Sequence, residues 1–480
     1  MSLSKKTTTG VIWNFSEQLG RRSISLVVTL LLAYFLVPED FGLLAMMALF
    51  LALATNMMDS GVKEALIRLP DVSDADLSSA FFLNLSLGFI AYVILCFAAP
   101  WIADFYHEPR LISLLQVSGL VVVINAFQVI QVVIMTRKLD FKAQIKITLP
   151  ATLVSGLIAI VMGYFGFGVW ALIGQMISSS LLITVFFWSR FTWRPRFIIN
   201  YSLFLEILNF GYKLFISGVL SILAKNIFSA VIAKLYSAST AGLYYLSERM
   251  LDVLMGQLVY AIQNVTYPVL SSIQNDTSRL KLAYRRVLRI SVFIVFPIIL
   301  IMAALAEPLF KSIFSEKWWG ASSYFQIMCL GFVLYPLHAI NLNILKVRGR
   351  SDLFLKLEII KVSISILILT MTLNNGVEAI LLGQVLSSVI AYFCNSYYSI
   401  KLIDYSLVEQ FFDFVPSFIL STLIALVIYF SQIWLHWHYL IEVILFAILG
   451  ALSYLAFSYY LKLNAFVDLK AFILTGVKRE

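Results

Sequence analysis

L-L-A-Y-F-L-V-P-E-D-F-G-L, residues 31–43, returns two hundred positions later as V-I-A-K-L-Y-S-A-S-T-A-G-L, residues 231–243. Ala33 matches Ala233, Gly42 matches Gly242 and Leu43 matches Leu243, and each copy joins two long apolar segments through a short polar turn. A second pair repeats in the same sense: G-V-W-A-L-I-G-Q-M-I-S-S from Gly168 and G-V-E-A-I-L-L-G-Q-V-L-S-S from Gly376, alike apart from one inserted residue. Internal duplication of membrane-spanning segments is the usual construction of a secondary transporter, with the substrate path between the halves.

Composition agrees with that reading. Hydrophobic residues make up 61% of the 480 and charged residues 13%, and mean hydropathy is +0.91. That leaves too little polar surface for a soluble globule. Apolar runs of spanning length fall near residues 11–36, 41–62, 78–99, 111–135, 147–165, 168–189 and 210–233. Further runs follow near 241–266, 287–306, 321–345, 354–373, 376–399, 411–431 and 439–461. The expected fold is an all-α polytopic membrane protein of about fourteen helices. It divides into a six-helix bundle over 1–200, a second over 201–402, and a final helix pair with a tail over 403–480. The runs are continuous rather than alternating every second residue, which excludes a β-barrel.

Basic residues set the orientation. Lys5 and Lys6, and the stretches 137–146, 190–196, 279–289 and 346–356, with Lys478 and Arg479, all belong to one side; Arg110, Lys234, Lys311 and Lys317 belong to the other. Both termini are therefore expected to be cytoplasmic. The net charge of +9 follows from this bias and from attraction to anionic membrane lipids, with no nucleic acid required. No A-x-A-like site follows the first apolar run, so a cleavable signal peptide is not expected.

Several features carry no chemistry. Cys96, Cys329 and Cys394 are scattered in apolar helices without disulfide or metal spacing. His436 and His438 flank Trp437 near Trp434, an interfacial aromatic belt. Asp74-Ala75-Asp76 reads as an acidic helix start, and G-Y-F-G-F-G at 163–168 as a tight turn lacking the strand-turn-helix context of a nucleotide fingerprint. No metal, no cofactor and no catalytic residue is expected.

The informative polar residues lie within the spans. Ser217, Ser221, Lys225 and Ser229 recur every four residues on one helix face. Counting about 1.5 Å per residue from Tyr236 places Lys225 roughly 16 Å deep, near the midplane. On the next helix Glu248, Arg249 and Asp252 stack at similar depth. Subtracting two hundred maps the serine–lysine ridge onto Glu17, Arg21, Ser25 and Thr29, a second polar line. Intramembrane charges cost on the order of 3 kcal/mol each and mark pathways or hydrated cavities. For Lys225 and Arg249 the alternative is a structural ion pair with Glu248 or Asp252; for Arg21 and Arg22 it is snorkelling to the interface. Asn56, Asp59 and Lys63 read as interfacial.

The stretches V-P-E-D-F-G-L-L-A-M (37–46), Q-N-D-T-S-R-L-K (274–281), F-S-E-K-W (314–318) and L-K-V-R-G-R-S-D-L (345–353), with the repeated halves and two extra helices, resemble the polysaccharide-transporter branch of the MOP flippase superfamily, the Wzx, WzxC and TuaB-like proteins. The resemblance implies a MOP/MATE-like fold. It also implies a flippase moving undecaprenyl-diphosphate-linked oligosaccharide across the bacterial inner membrane by alternating access, for lipopolysaccharide, capsule or exopolysaccharide. The partners would be that lipid-linked oligosaccharide, membrane lipids, and polysaccharide polymerase and export machinery.

Lys225, Arg249, Arg21 and Arg22 would then bind phosphate by charge-assisted hydrogen bonds, Ser217, Ser221 and Ser229 would meet sugar, and Glu248, Asp252 and Glu17 would be cavity or proton-coupling carboxylates. Pro268, Pro297 and Pro336 would be bending points. Two rivals remain. A cation-coupled multidrug exporter of the same superfamily should depend on carboxylates. A membrane-bound polysaccharide biosynthesis enzyme should carry a sizeable catalytic loop, and no expected loop exceeds about twenty residues.

Overall fold

The computed structural model describes residues 3–138, 140–198, 200–348, 350–434 and 437–477. His436, Lys478 and Arg479 lie outside the described residues. Among the described residues there are nineteen α-helices, one three-residue 3-10 turn and no strand. Contacts divide the chain into two compact units, Met1–Tyr245 and Leu246–Glu480. The repeat boundary at 200/201 is a matter of sequence period, whereas this division is a matter of packing.

The first unit holds α1 (Leu3–Phe35), α2 (Pro38–Asp59), α3 (Val62–Arg68), α4 (Asp74–Tyr106), α5 (Arg110–Ala126), α6 (Val129–Lys138), α7 (Phe141–Tyr164), α8 (Val169–Arg190), α9 (Tyr201–Leu235) and the first turns of α10 (Ala238–Ser272). The second holds the rest of α10, then α11 (Thr277–Ala304), α12 (Ala306–Ile313), α13 (Ala321–Phe332), α14 (Tyr335–Val347), α15 (Ser351–Thr372), α16 (Val377–Ile403), α17 (Leu407–Trp434), α18 (Tyr439–Tyr460) and α19 (Asn464–Val477).

Each of the fourteen apolar runs coincides with a helix or a broken helix. Ten are long and apolar enough to cross a membrane, and the α5–α6 pair, bent by 41°, makes an eleventh. The other three, α1, α10 and α15, each carry three charges close together inside the run: Glu17, Arg21 and Arg22; Glu248, Arg249 and Asp252; Lys356, Glu358 and Lys361. Two of these, α1 and α10, carry candidate residues, while the serine–lysine ridge stands on α9, one of the ten apolar spans.

The opening motif shows why the chain turns where it does. Val37 is extended, Pro38 takes the first helical position, where a missing N–H is harmless, and the Asp40 carboxylate accepts the Val37 N–H at 3.1 Å. Gly42 then serves packing. A Cβ on Gly42 would stand 1.7 Å from the Ala238 carbonyl oxygen, and one on Gly242 would stand 1.7 Å from the Pro38 carbonyl oxygen. All four residues are in the first unit, and the two contacts are one contact with the two copies exchanged. Next to them Arg110 bonds both Glu39 and Glu108; the hydrogen bond from Arg110 holds the Glu108 carboxyl below its ordinary range.

A second recurrence ties loops rather than helices. Arg137, at the end of α6, donates to the carbonyls of Leu66 (2.7 Å), Leu69 (2.5 Å) and Pro70 (2.8 Å), which close α3. Arg348, past the end of α14, donates to the Gln274 and Leu402 carbonyls at 2.7 and 3.1 Å and to the Thr277 hydroxyl at 3.0 Å. In each unit, then, one guanidinium fork satisfies carbonyls left over at helix ends. Two residues on, Arg350 bonds Asp352 at 2.9 and 2.8 Å and holds its carboxyl down to about 2.

The second unit packs around fully buried Tyr284, Phe296, Phe310, Trp318 and Phe325. The F-S-E-K-W stretch is one of its corners: Phe314 packs on Trp318, and Trp319 donates to the Phe314 carbonyl at 3.1 Å. Of the expected bending points, Pro297 lies inside α11 and Pro268 inside α10, while Pro336 is the second residue of α14, directly after the break from α13.

Candidate functional site

The polar ridge of α9 is real as a face of one helix. Ser217, Ser221 and Lys225 are exposed, whereas Ser229, nearer the C-terminal end, is buried. An exposed lysine ten residues from the end of a 35-residue apolar helix needs a hydrated surface or a counter-charge, because hydrocarbon offers neither. On α10, Glu248, Arg249 and Asp252 are half-buried.

On α1 the ridge behaves differently along its length. Glu17 is only 3% exposed. It accepts the Thr148 hydroxyl of α7 at 2.9 Å and pairs with Arg21 at 3.4 Å. Arg21 itself is exposed and Arg22 half-buried. Glu17 therefore sits in the α1–α7 contact, holding Arg21 at the surface one turn on.

The residues read as interfacial on α2 stand at a break. The Ser60 and Gly61 backbones are both left-handed, with φ of 34° and 74°, so α2 is interrupted there and α3 carries the same apolar span on to Arg68. The Asn56 amide donates to the Phe215 carbonyl of α9 at 3.1 Å. Thr55, Asn56 and Asp59 supply the polar wall of a cavity of about 410 Å³, closed by Val121 and Val122 of α5, Met176 of α8 and Ile222 of α9. One Asp59 oxygen, buried there, has no hydrogen-bond partner among the described residues. The break puts these residues at the end of α2, while the span itself continues through α3.

Two hydrogen-bonded polar groups in the second unit have no counterpart among the residues singled out from the sequence. The His338 ring is held at both nitrogens, by Ser388 at 3.0 Å and Asn395 at 3.1 Å. Ser388 spends its own proton on the Gly331 carbonyl, so Nε2–H donates to it and Nδ1 accepts from Asn395: a neutral imidazole. The second group runs along α11, where Lys281, Arg285, Arg286 and Arg289 were counted only as basic loop residues. Arg285 forks onto Asp413 at 2.7 and 3.0 Å, Tyr405 donates to the same carboxylate at 2.7 Å, and Lys281 pairs with Glu409 at 2.9 Å. The i, i+4, i+8 spacing of Lys281, Arg285 and Arg289 was the available signal, since it puts three cations on one helix face.

Comparison with known proteins places this architecture. The polysaccharide biosynthesis protein family matches residues 31–323. The chain belongs to the polysaccharide biosynthesis protein family. Among similar proteins, the lipopolysaccharide biosynthesis protein WzxC of Escherichia coli (strain K12) is 25% identical over 400 residues, 82% of this chain and 81% of that protein. The teichuronic acid biosynthesis protein TuaB of Bacillus subtilis (strain 168) is 21% identical over 360 residues, 73% of each chain. The succinoglycan biosynthesis transport protein ExoT of Rhizobium meliloti (strain 1021) is 22% identical over 316 residues, covering 66% of this chain and 64% of that one.

In fold, this family member is similar to the lipid II flippase MurJ in its inward closed conformation, with a TM-score of 0.76 at 16% identity over 95% of this chain and 98% of MurJ. It is less similar to an inward-facing multidrug resistance MATE transporter of the MOP superfamily, with a TM-score of 0.59 at 15% identity over 82% of this chain and 94% of that one. The protein is a multi-pass, all-α membrane protein with the fold of MOP superfamily transporters.

Proposed function

We propose that this protein is a flippase for a lipid-diphosphate-linked oligosaccharide, carrying it by alternating access from the cytoplasmic to the outer leaflet of a bacterial inner membrane. The observation that carries the reading is that a chain of the polysaccharide biosynthesis family has a transporter fold over nearly its whole length. WzxC, TuaB and ExoT, named for three different polysaccharides, support a glycan cargo, and the MurJ likeness supports a fold able to handle a lipid-linked one. Both termini are cytoplasmic in this proposal, the moving parts are the six-helix repeats 1–200 and 201–402, followed by the pair at 403–480, and a polymerase and export machinery act downstream. It is a carrier and not an enzyme.

The cargo's chemistry assigns the roles. A diphosphate has two negative charges, sugars present many hydroxyls, and the lipid tail can stay in the bilayer. Lys225 and Arg249 at mid-depth, with Arg21 and Arg22 nearer one interface, bind phosphate. Ser217, Ser221 and Ser229 hydrogen-bond sugar. Glu248 and Asp252 are counter-charges that can take up protons if export is proton-coupled, and Glu17 fixes Arg21.

The test is export of the glycan in cells. Lys225→Ala is expected to abolish it at near-normal protein abundance, and Lys225→Arg to retain part, because charge at that depth is what matters. Normal export by Lys225→Ala removes Lys225 as phosphate ligand; disappearance of the protein from the membrane makes it half of a structural ion pair instead.

A further inference from the structure

Between α11, α17 and the turn from α18 to α19 lies a polar pocket of about 190 Å³. Its cationic lining is Arg289 and Lys462, with Ser417 and Asn464 beside them. Asp413 also lines it, but that carboxylate is already saturated: Arg285 forks onto it, the Tyr405 hydroxyl donates to it, and Arg289 reaches it at 3.4 Å. The nearby Asp468 is paired with Arg289 at 2.8 Å and Arg286 at 3.3 Å. With Glu409, which pairs with Arg285 at 3.5 Å and Lys281 at 2.9 Å, five cations, Lys281, Arg285, Arg286, Arg289 and Lys462, thus face three acids. Arg289 is mostly buried, and its Nε–H, a charged donor, has no hydrogen-bond partner among the described residues.

The surroundings say what kind of anion fits. The pocket is edged by apolar side chains open to the outside, Phe412 at 70% and Leu461 at 62% exposure, with Tyr460 at 78% next in the chain. Exposed apolar and tyrosine side chains beside arginine and lysine are the composition of the headgroup level of a bilayer. Lys462, with φ of 50°, sits in the turn so that its charge is held at the mouth while α19 runs on along α11. The 14-residue α19 begins at Asn464, and its first N–H groups add favourable potential for an anion, although the two cations are what make the site.

We propose that this pocket seats the phosphate group of an anionic membrane phospholipid, docking α19 to the membrane surface and holding the α11–α17–α19 corner together. The lipid's glycerol and acyl chains lie along Phe412 and Leu461, and its phosphate meets Arg289 and Lys462.

The test uses purified full-length protein in detergent and native mass spectrometry, titrating phosphatidylglycerol and, separately, phosphatidylcholine. Wild type is expected to bind its first phosphatidylglycerol about tenfold more tightly than phosphatidylcholine, the scale of one charge-assisted contact. Lys462→Asn keeps a residue at ease with positive φ and removes the charge; it is expected to lose that preference, and Lys462→Glu to reverse it. Lys470→Asn, on α19 but outside the pocket, is expected to behave as wild type. Equal binding of the two lipids by wild type, or undiminished preference in Lys462→Asn, overturns the proposal. Displacement of phosphatidylglycerol by inorganic phosphate at equal concentration overturns the lipid source and assigns the pocket to a soluble anion. No glycan carrier is present in the assay, so its failure is distinct from failure of the transport reading.

Discussion

Arg137 and Arg348 each use one planar fork to hold three oxygens. Lysine has the same charge but a single point of attachment, so it cannot serve three acceptors in fixed directions. Arg137→Lys and Arg348→Lys are each expected to cost about 2 kcal/mol, seen as a lower unfolding midpoint in detergent; an unchanged midpoint for both would mean that water replaces the fork without loss. Asp413 is a harder case. Its side chain is 4% exposed and faces Arg285 and Arg289, so Asp413→Asn takes the forked partner from Arg285, leaving it Glu409 at 3.5 Å, and leaves Arg289 with Asp468 alone. A loss of about 3 kcal/mol is expected from breaking one side of a buried pair. Replacing Arg285 by Met in addition should recover part of it, a coupling that a double-mutant cycle measures directly.

At the scale of the element, the question is what the charges on α10 are for. If Glu248, Arg249 and Asp252 serve only structure, Arg249→Met alone should lower stability, and adding Glu248→Gln and Asp252→Asn should restore both folding and transport. The transport reading expects otherwise: the triple variant keeps its melting temperature yet leaves glycan on the cytoplasmic leaflet. A stable triple variant with full export would take Arg249 out of the site. The same helices show what a sequence discloses. Apolar runs gave every spanning helix, because 20 apolar residues in a row have one stable use in a bilayer. They did not give the breaks after Asp59, after Ala126 and before Tyr335, since a break depends on which neighbour satisfies the freed backbone groups. The ion pairs of α11 were invisible for a related reason. A basic loop residue and a helix-packing residue have the same one-letter code, and the acids that distinguish them, Glu409, Asp413 and Asp468, lie more than a hundred positions away.

For the molecule as a whole, orientation is the first thing to measure. In a background with Cys96, Cys329 and Cys394 replaced by alanine, single cysteines at Lys138, Arg279 and Arg350 are expected to be shielded from an impermeant thiol reagent in intact cells, and one at Asn375 to be labelled. Labelling of the first three from outside would reverse the orientation. The repeat that opened the sequence bears on the architecture too, through Gly42 and Gly242. Residue 42 approaches residue 238 while residue 242 approaches residue 38, which is the relation of an isologous interface, the kind that closes a twofold homodimer, folded here into one chain. In each direction the obstacle to a side chain is a carbonyl oxygen, so no compensating change of side chain opposite can make room. Gly42→Ala and Gly242→Ala are therefore expected to be about equally damaging, by roughly 1–3 kcal/mol, and to gain nothing from being made together. A duplicated gene can let its two halves diverge almost everywhere, as Pro38 and Ala238 already have, but a contact made of backbone on both sides leaves each half bound to the other's geometry.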